Sequence, residues 1–324
     1  MNKQIIKIFF VDFWPDIVND NYFLDFLKRY YTVEIDPNNP DYLFFSVYGQ
    51  THLKYNHCIK ILFTGENMVP DFNVCDYALG FHYLQFEDRY ARYPLYLIYS
   101  GFGRLQHKMI TDEKSLLNRS FCNFVYSNNT NADTTRDLFF QKLSKYKKVD
   151  SGGKHLNNIG GPVEDKINFI KNYKFTIAFE NSAVPGYTTE KLMDAMCANS
   201  IPVYYGNPLA HLDFNPESFI QVKGVDDFER AIEEIIFLDN DPAAYLGMLN
   251  KQWINNGYNL EMWEQQLFNF LSHIFSQPLV NAKRKAEYGF NKFNNDVLQL
   301  QADLLYRRKR INNFKAKIKS YIGK

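Results

Sequence analysis

The stretch at residues 174–208, KFTIAFENSAVPGYTTEKLMDAMCANSIPVYYGNP, constrains the fold most, because strand, loop, helix and strand signals follow one another inside it. Phe175, Ile177 and Phe179 alternate with Thr176 and Ala178, the period of a partly buried strand. Glu180-Asn181-Ser182 then breaks the run with three polar side chains, so the strand ends in a polar mouth. Pro185-Gly186 gives a turn, and Thr188 or Thr189 can cap. Residues 190–199 read as a helix with Leu192, Ala195 and Met196 on one face, and 201–205 as the next strand.

A β-loop-α-β unit of this kind belongs to an open, mostly parallel sheet, whose ligands bind at the carboxyl ends of the strands. Lys191 lies in the first helical turn, an end where the helix dipole itself favours negative charge. A cation there points to an anionic ligand. The plainer reading is a solvated first turn formed by Glu190 and Lys191.

Composition narrows the partners. The 324 residues suit two domains, and a hydrophobic share of 46% suffices for a sizeable core. With 37 basic against 36 acidic residues the chain lacks the footprint of a nucleic-acid binder. Aromatics reach 17%, suited to packing and to stacking on sugars alike. Cys58, Cys75, Cys122 and Cys197 show no metal-ligand spacing and read as reduced thiols of a cytosolic protein. The apolar run before Asp12 is too short for a secretory leader, and no window approaches the apolar length of a membrane span.

Along the chain, 5–11, 42–47 and 59–63 read as strands and 22–30 as a helix, a first doubly wound domain. Glu66 falls just past a strand's carboxyl end, in TGEN, where it is either a solvated loop carboxylate or a reacting group. Residues 75–79 read as a further strand, and Asn73, Asp76 and Tyr77 are either site groups or merely cap it. Arg89, Tyr90, Arg92 and Tyr93 form either the rim of a binding site or a hydrogen-bonded turn. Strand 120–126 runs into a polar loop at 127–131, and Asp133 can cap a helix over 134–146 with Leu138, Phe139 and Leu143 on its apolar face. Arg136 is a second early-turn cation. The Gly-rich pieces at 149–153 and 160–162 read as permissive loops, with a domain boundary near Asp150. Helices follow at 225–238 and 260–276.

FENS, GYTTEK and IPVYYG together resemble the nucleotide-sugar signature of the α-1,3/4-fucosyltransferases, most closely their bacterial members. TGENMVPDFNVCDYALGF followed by DRYARYPLY is similar to the acceptor-domain block of the same family. The resemblance implies an α/β, GT-B fold: an acceptor-binding domain at 1–150 and a GDP-fucose-binding domain at 151–280, both doubly wound and Rossmann-like, facing a central cleft. It implies an inverting enzyme that moves L-fucose from GDP-β-L-fucose to the N-acetylglucosamine of an N-acetyllactosamine-type acceptor, giving a Lewis x-type product. Glu66 is then the general base, Arg136 and Lys191 hold the donor's diphosphate, and Asn181, Tyr187 and Glu190 complete the donor pocket. Eukaryotic members carry a membrane anchor, so the N-terminus favours the bacterial, cytoplasmic kind. Another nucleotide-sugar transferase of this fold, or a sugar-binding protein without turnover, are the alternatives.

No cofactor is expected beyond the donor co-substrate. Asp239-Asn240-Asp241-Pro242 mimics a D-x-D metal motif but reads as a helix end, a turn and a Pro-started helix. From 281 to 324 the chain carries twelve basic and three acidic residues, with apolar positions near helical spacing. This basic amphipathic tail suits an anionic membrane surface, or a solvated or dimerising helix. Clean heptads are absent, which leaves oligomerisation open.

Overall fold

The computed structural model describes residues 3–18, 21–99, 101–106, 108, 112–127 and 132–322. The chain forms two compact units, Met1–Gly80 with Gln85–Ala91 and Asn269–Lys324, and Phe81–Leu84 with Arg92–Phe268.

In the first unit, save for Arg92 at the edge, β1 (Ile5–Val11), β2 (Thr32–Ile35), β3 (Tyr42–Phe45), β4 (Ile59–Phe63), β5 (Tyr77–Gly80) and β6 (Tyr90–Arg92) make one sheet in the order β2-β1-β3-β4-β5-β6. Strands β1 to β5 pair in parallel. The chain leaves β1 for β2 on one side and returns to β3 on the other, so the strand order reverses at the carboxyl ends of β1 and β3. Helix α1 (Tyr22–Tyr30) starts at Asn21, whose side chain accepts the Leu24 N–H at 3.0 Å. It buries Phe23, Phe26 and Leu27, with the Phe23 ring 4.9 Å from that of Phe63.

In the second unit, β7 (Ser120–Phe124), β8 (Val149–Ser151), β9 (Tyr173–Phe179), β10 (Ile201–Tyr205) and β11 (Ile220–Gln221) form a parallel sheet in the order β11-β10-β9-β7-β8. Its helices are α2 (Phe102–Leu105), α3 (Glu113–Leu117), α4 (Thr135–Leu143), α5 (Lys166–Ile170), α6 (Glu190–Cys197), α7 (Phe228–Asn240), α8 (Pro242–Leu249) and the first part of α9 (Leu260–Phe275). The end of α9, with α10 (Leu279–Ala282) and α11 (Gly289–Ile322), belongs to the first unit.

Several expectations are corrected here. The boundary does not fall near Asp150: β7 pairs with both β8 and β9, so β7 and α4 belong to the second sheet. Nor is the segment after Asn281 a separate tail, since the Asp76 carboxylate, buried at the start of β5, accepts the N–H groups of Arg284 and Lys285 at 2.9 Å each. The Arg284 guanidinium also pairs with Asp88 at 2.5 Å. Residues 149–151, read as loop, are edge strand β8. Strand β9 is not half-buried but central, so Thr176 and Ala178 are covered as well. The Thr176 hydroxyl is satisfied by Asn123 at 2.8 Å and Ser200 at 2.7 Å. On α4, Leu138 is 44% exposed, and the buried face is Phe139, Phe140 and Leu143.

The reading of 239–242 holds. Helix α7 ends at Asn240, Asp241 caps α8 by accepting the Ala243 and Ala244 N–H groups at 3.0 Å each, and Asp239 pairs with Lys147 and Lys174. Among the described residues no helix is long and apolar enough to cross a membrane. The expected polar loop at 128–131 lies outside the described residues, as do 323 and 324.

Candidate functional site

At the strand-order reversal of the first unit, Asp12 leaves β1 with a φ of 60°. Its carboxylate accepts the Thr51 N–H at 3.0 Å and the His52 N–H at 2.8 Å, and lies 2.7 Å from His52 Nδ1. Burial works to raise the Asp12 pKa, but the hydrogen bonds from His52 and Thr51 outweigh it and hold the carboxyl below its usual value. The loop after β3 is thereby strapped to the end of β1. Gly49 permits it, because a Cβ there would stand 2.3 Å from Asp12 Oδ1.

The strapped loop presents Tyr48, whose hydroxyl donates to the Glu66 carboxylate at 2.5 Å. Glu66 sits half-buried beyond β4, and its own N–H donates to Thr64 Oγ1 at 3.2 Å. A half-exposed carboxylate fixed by a phenol at the carboxyl ends of parallel strands is placed to accept a proton from a ligand. Asp12, Gly49 and Tyr48 were not singled out by sequence; position just past a strand is the one signal they share with Glu66.

Arg89 and Arg92 resolve as structure. The Arg89 guanidinium donates to the carbonyls of Phe72, Cys75 and Asp76, the hydrogen-bonded turn of the two alternatives. Arg92 pairs with Asp213 at 2.6 Å and donates to the Phe81 carbonyl.

In the second unit the remaining candidates gather at the carboxyl ends of β7, β9 and β10. Tyr126, just past β7, donates its hydroxyl to the Ile177 and Phe179 carbonyls at 3.0 Å each and accepts the Phe179 N–H at 2.6 Å. The Arg136 guanidinium, buried in the first turn of α4, lies 4.7 Å from the centre of the Tyr126 ring. Burial drives the Tyr126 phenol pKa up, and the charges of Lys191 and Arg136 both act against that rise. Lys191 also lines a small cavity with Tyr126, so both cations lie close to one phenol. Asp133 ties the loop before α4 in place: it accepts the Thr135 N–H and the Tyr205 hydroxyl, and its own N–H donates to the Asn181 carbonyl.

Lys191 is anchored by a residue to which sequence reading gave no role. Glu180 is fully buried, and its carboxylate accepts the Thr189 N–H at 2.7 Å and Lys191 Nζ at 3.0 Å. Thr189 does occupy the N-cap of α6, but its hydroxyl goes to Glu180 rather than to a helix N–H. Burial raises the Glu180 pKa, with Lys191 opposing. Burial pulls Lys191 down, but Glu180 and Glu190 more than reverse this and hold the ammonium well above its ordinary value. Two carboxylates thus explain how a cation persists where the helix dipole disfavours it. Glu190 remains part-exposed, 31% at its side chain.

Two glycines allow this arrangement. Gly206 ends β10 at a φ of 154°, and a Cβ there would lie 2.4 Å from Glu180 Cγ. Gly186, at a φ of 88°, donates its N–H to Asn207 Oδ1 at 2.7 Å, and a Cβ would meet the Phe81 carbonyl at 2.3 Å. The following Tyr187 is buried, its ring 5.1 Å from Phe81. Gly206→Ala is expected to cost about 2 kcal/mol or more through strain and overpacking against Glu180. A fall in urea midpoint at unchanged m-value measures it.

The profile of the alpha-(1,3)-fucosyltransferase FucT N-terminal domain matches residues 8–99, and that of the glycosyltransferase family 10 (fucosyltransferase) C-terminal region matches 116–281. The chain is 34% identical over 271 residues to an alpha-(1,3)-fucosyltransferase of Helicobacter pylori, covering 71% of this chain and 55% of that protein. It is 27% identical over 234 residues to a putative fucosyltransferase of Acanthamoeba polyphaga mimivirus, covering 67% and 37%. It thus spans about half the length, or less, of these relatives. Among solved structures, an alpha1,3-fucosyltransferase with GDP-fucose superposes with a TM-score of 0.72 at 30% identity, covering 86% of this chain and 92% of that one. An alpha1,3-fucosyltransferase with GDP gives a TM-score of 0.70 at 30% identity, covering 83% and 91%.

Proposed function

The chain belongs to glycosyltransferase family 10, the fucosyltransferases, with the α/β fold of GT-B type, and on that premise we propose that it is an inverting α-1,3-fucosyltransferase. Its donor is GDP-β-L-fucose, and its acceptor is the N-acetylglucosamine of an N-acetyllactosamine-type glycan, giving a Lewis x-type product. The observation that carries the reading is geometric: Arg136 lies over the Tyr126 ring, and Lys191 lines one small cavity with Tyr126. Two cations from two helix starts suit a diphosphate, whose charge grows as it departs.

In this mechanism the Glu66 carboxylate takes the proton of the acceptor hydroxyl while that oxygen bonds to the anomeric carbon. The bond from that carbon to the diphosphate breaks on the opposite face, which inverts the centre. Arg136 and Lys191 receive the charge that collects on GDP. The part-exposed Glu190 carboxylate accepts from the ribose hydroxyls, Asn181 borders the donor, and Tyr187 braces its loop against Phe81. Incubation with GDP-fucose and lactosamine isomers, read by product mass and linkage, tests the reaction. Absence of a fucosylated product with every isomer overturns it.

The reaction is proposed to need no divalent metal. Asp239 and Asp241 are engaged by two lysines and by a helix start, so the one D-x-D pattern of the sequence is not offered to a donor. Chelation is expected to leave the rate unchanged; loss on chelation with recovery on adding Mn²⁺ contradicts this.

We further place the protein in the cytoplasm, at the inner face of a membrane. Leu304, Ile311 and Phe314 are exposed on α11 beside Arg307, Arg308 and Arg310, a pattern suited to anionic lipid. Truncation from Leu304 spares the Arg284 and Lys285 contacts with Asp76 and is expected to abolish partition into phosphatidylserine vesicles. Unchanged partition removes the membrane role.

A further inference from the structure

The two oxygens of the Glu66 carboxylate are unlike. The backbone of Glu66 is fixed by Thr64, wholly buried, whose hydroxyl accepts the Glu66 N–H and donates to the Glu66 carbonyl, at 3.2 Å each. The same carbonyl accepts the Met68 N–H at 2.6 Å. The side chain is fixed by Tyr48, which donates to Oε1 at 2.5 Å. Among the described residues no group bonds Oε2. Tyr48 is itself secured twice. Its N–H donates to the Asp12 carbonyl at 2.9 Å, and the Asp12 carboxylate holds the chain beyond it through Thr51 and His52. The rings of Tyr48 and Trp14 meet edge to face, 6.2 Å between centres, and Trp14 in turn packs on Phe63, the last residue of β4, at 6.3 Å. The phenol therefore approaches Glu66 from a fixed direction, although Tyr48 is 53% exposed.

We propose that Tyr48 is the positioning residue of the candidate base: it occupies Oε1, leaves Oε2 to receive the acceptor's proton, and sets the pH below which transfer fails. The proposal rests on the reading of Glu66 as the base. An ionised carboxylate only accepts hydrogen bonds, so at 2.5 Å the phenol is the donor of a charge-assisted bond. Such a bond stabilises the carboxylate more than the neutral acid, and so keeps Glu66 in the form that can take a proton. It also stops the carboxylate from turning, which aims Oε2. In the transfer, the acceptor hydroxyl's proton passes to Oε2 as that hydroxyl's oxygen bonds to the anomeric carbon and GDP leaves. Tyr48 keeps its own proton throughout. The other titratable groups nearby are engaged elsewhere. Asp12 and His52 bond each other at 2.7 Å, and Lys54 lies 5.8 Å from the centre of the Tyr306 ring. Asp303 and Lys309 line a groove with Tyr48 from α11, and Asp303 accepts from Gln299. Among the described residues none of these bonds or pairs with Glu66.

Tyr48→Phe removes the hydroxyl and keeps the ring against Trp14. The test is the pH profile of kcat/KM with GDP-fucose and a lactosamine acceptor, whose acid limb reports protonation of the base. In Tyr48→Phe that limb is expected to move up by about one pH unit, the scale of one hydrogen bond to a part-exposed carboxylate, and the plateau of kcat to fall roughly tenfold as Oε2 loses its aim. His52→Gln is expected to leave the limb at its wild-type position, because the His52 ring reaches Asp12 and not Glu66. The carboxyl-carbon NMR signal of Glu66, assigned by its loss in Glu66→Gln, reads the same shift without turnover, with a midpoint about one pH unit higher in Tyr48→Phe than in wild type. A limb or a midpoint that does not move overturns the proposal, whatever happens to kcat, and leaves Tyr48 with a structural part alone. So does a limb that moves as far in His52→Gln, which gives the profile to the strap. Undiminished transfer by Glu66→Gln instead defeats the reading of the base, a failure distinct from an unmoved midpoint.

Discussion

Glu66→Gln is expected to lower kcat for fucosyl transfer by roughly 10²- to 10⁴-fold, the usual worth of a general base. The amide is nearly isosteric with the carboxylate and still accepts from Tyr48, whose hydroxyl bonds Glu66 at 2.5 Å, so the loop around it should persist. It has no basic oxygen to receive a proton. GDP affinity, measured by calorimetry, is expected to stay as in wild type, because the proposed diphosphate contacts come from Arg136 and Lys191. Transfer at the wild-type rate eliminates Glu66 as the base. Loss of GDP binding alongside transfer shows instead that the substitution disturbs more than proton transfer.

Lys191→Met carries the largest expected effect on stability. It leaves the Glu180 carboxylate, wholly buried, without the ammonium 3.0 Å away, and breaking such a pair from one side typically costs about 3–5 kcal/mol. The cost depends on pH in a definite direction. Burial already raises the folded-state pKa of Glu180 above 4.5, and loss of Lys191 raises it further. A folded state that binds the extra proton loses stability as pH rises through that raised range and regains it below. The deficit in Lys191→Met should therefore be larger at pH 8 than at pH 5, as read by urea titration. In the wild type, Lys191 titrates in the folded state well above 10.5, so its share of stability is complete below that value and is lost only at higher pH. Adding Glu180→Gln to Lys191→Met removes the stranded charge and should recover much of the loss. A deficit independent of pH and unrelieved by the second substitution rejects this account of the pair.

The sequence announced some of this site and concealed the rest for physical reasons. Helix α6 and strands β9 and β10 were legible because periodicity, turn residues and cap residues agreed over one continuous stretch. Glu66 and Lys191 stood out by position, one beyond a strand and one in a first helical turn. Glu180 did not, because a carboxylate that ends an apolar run looks like a return to solvent. Only the strand register sets it under Thr189 and beside Gly206. Arg136 was legible as a first-turn cation, but its burial over Tyr126 depends on β7 pairing with β9, a tertiary fact. The boundary near Asp150 went astray for a related reason: short edge strand β8 resembles a glycine-rich linker when its partner is unseen. Leu138 was assigned to a buried face by apolarity alone, while Phe140 at the neighbouring turn took that place.

The Asp76 carboxylate bears on the order in which the molecule can be made. Its two main-chain donors are supplied by residues translated more than two hundred positions later, and Phe275 closes on Tyr42 in the same half of the molecule, ring centres 4.5 Å apart. A nascent chain at the ribosome can finish the second unit, whose last residue is Phe268, while the unit begun earlier still waits for its closing piece. The part synthesised first is thus completed last, and its apolar strands depend on late arrivals for cover.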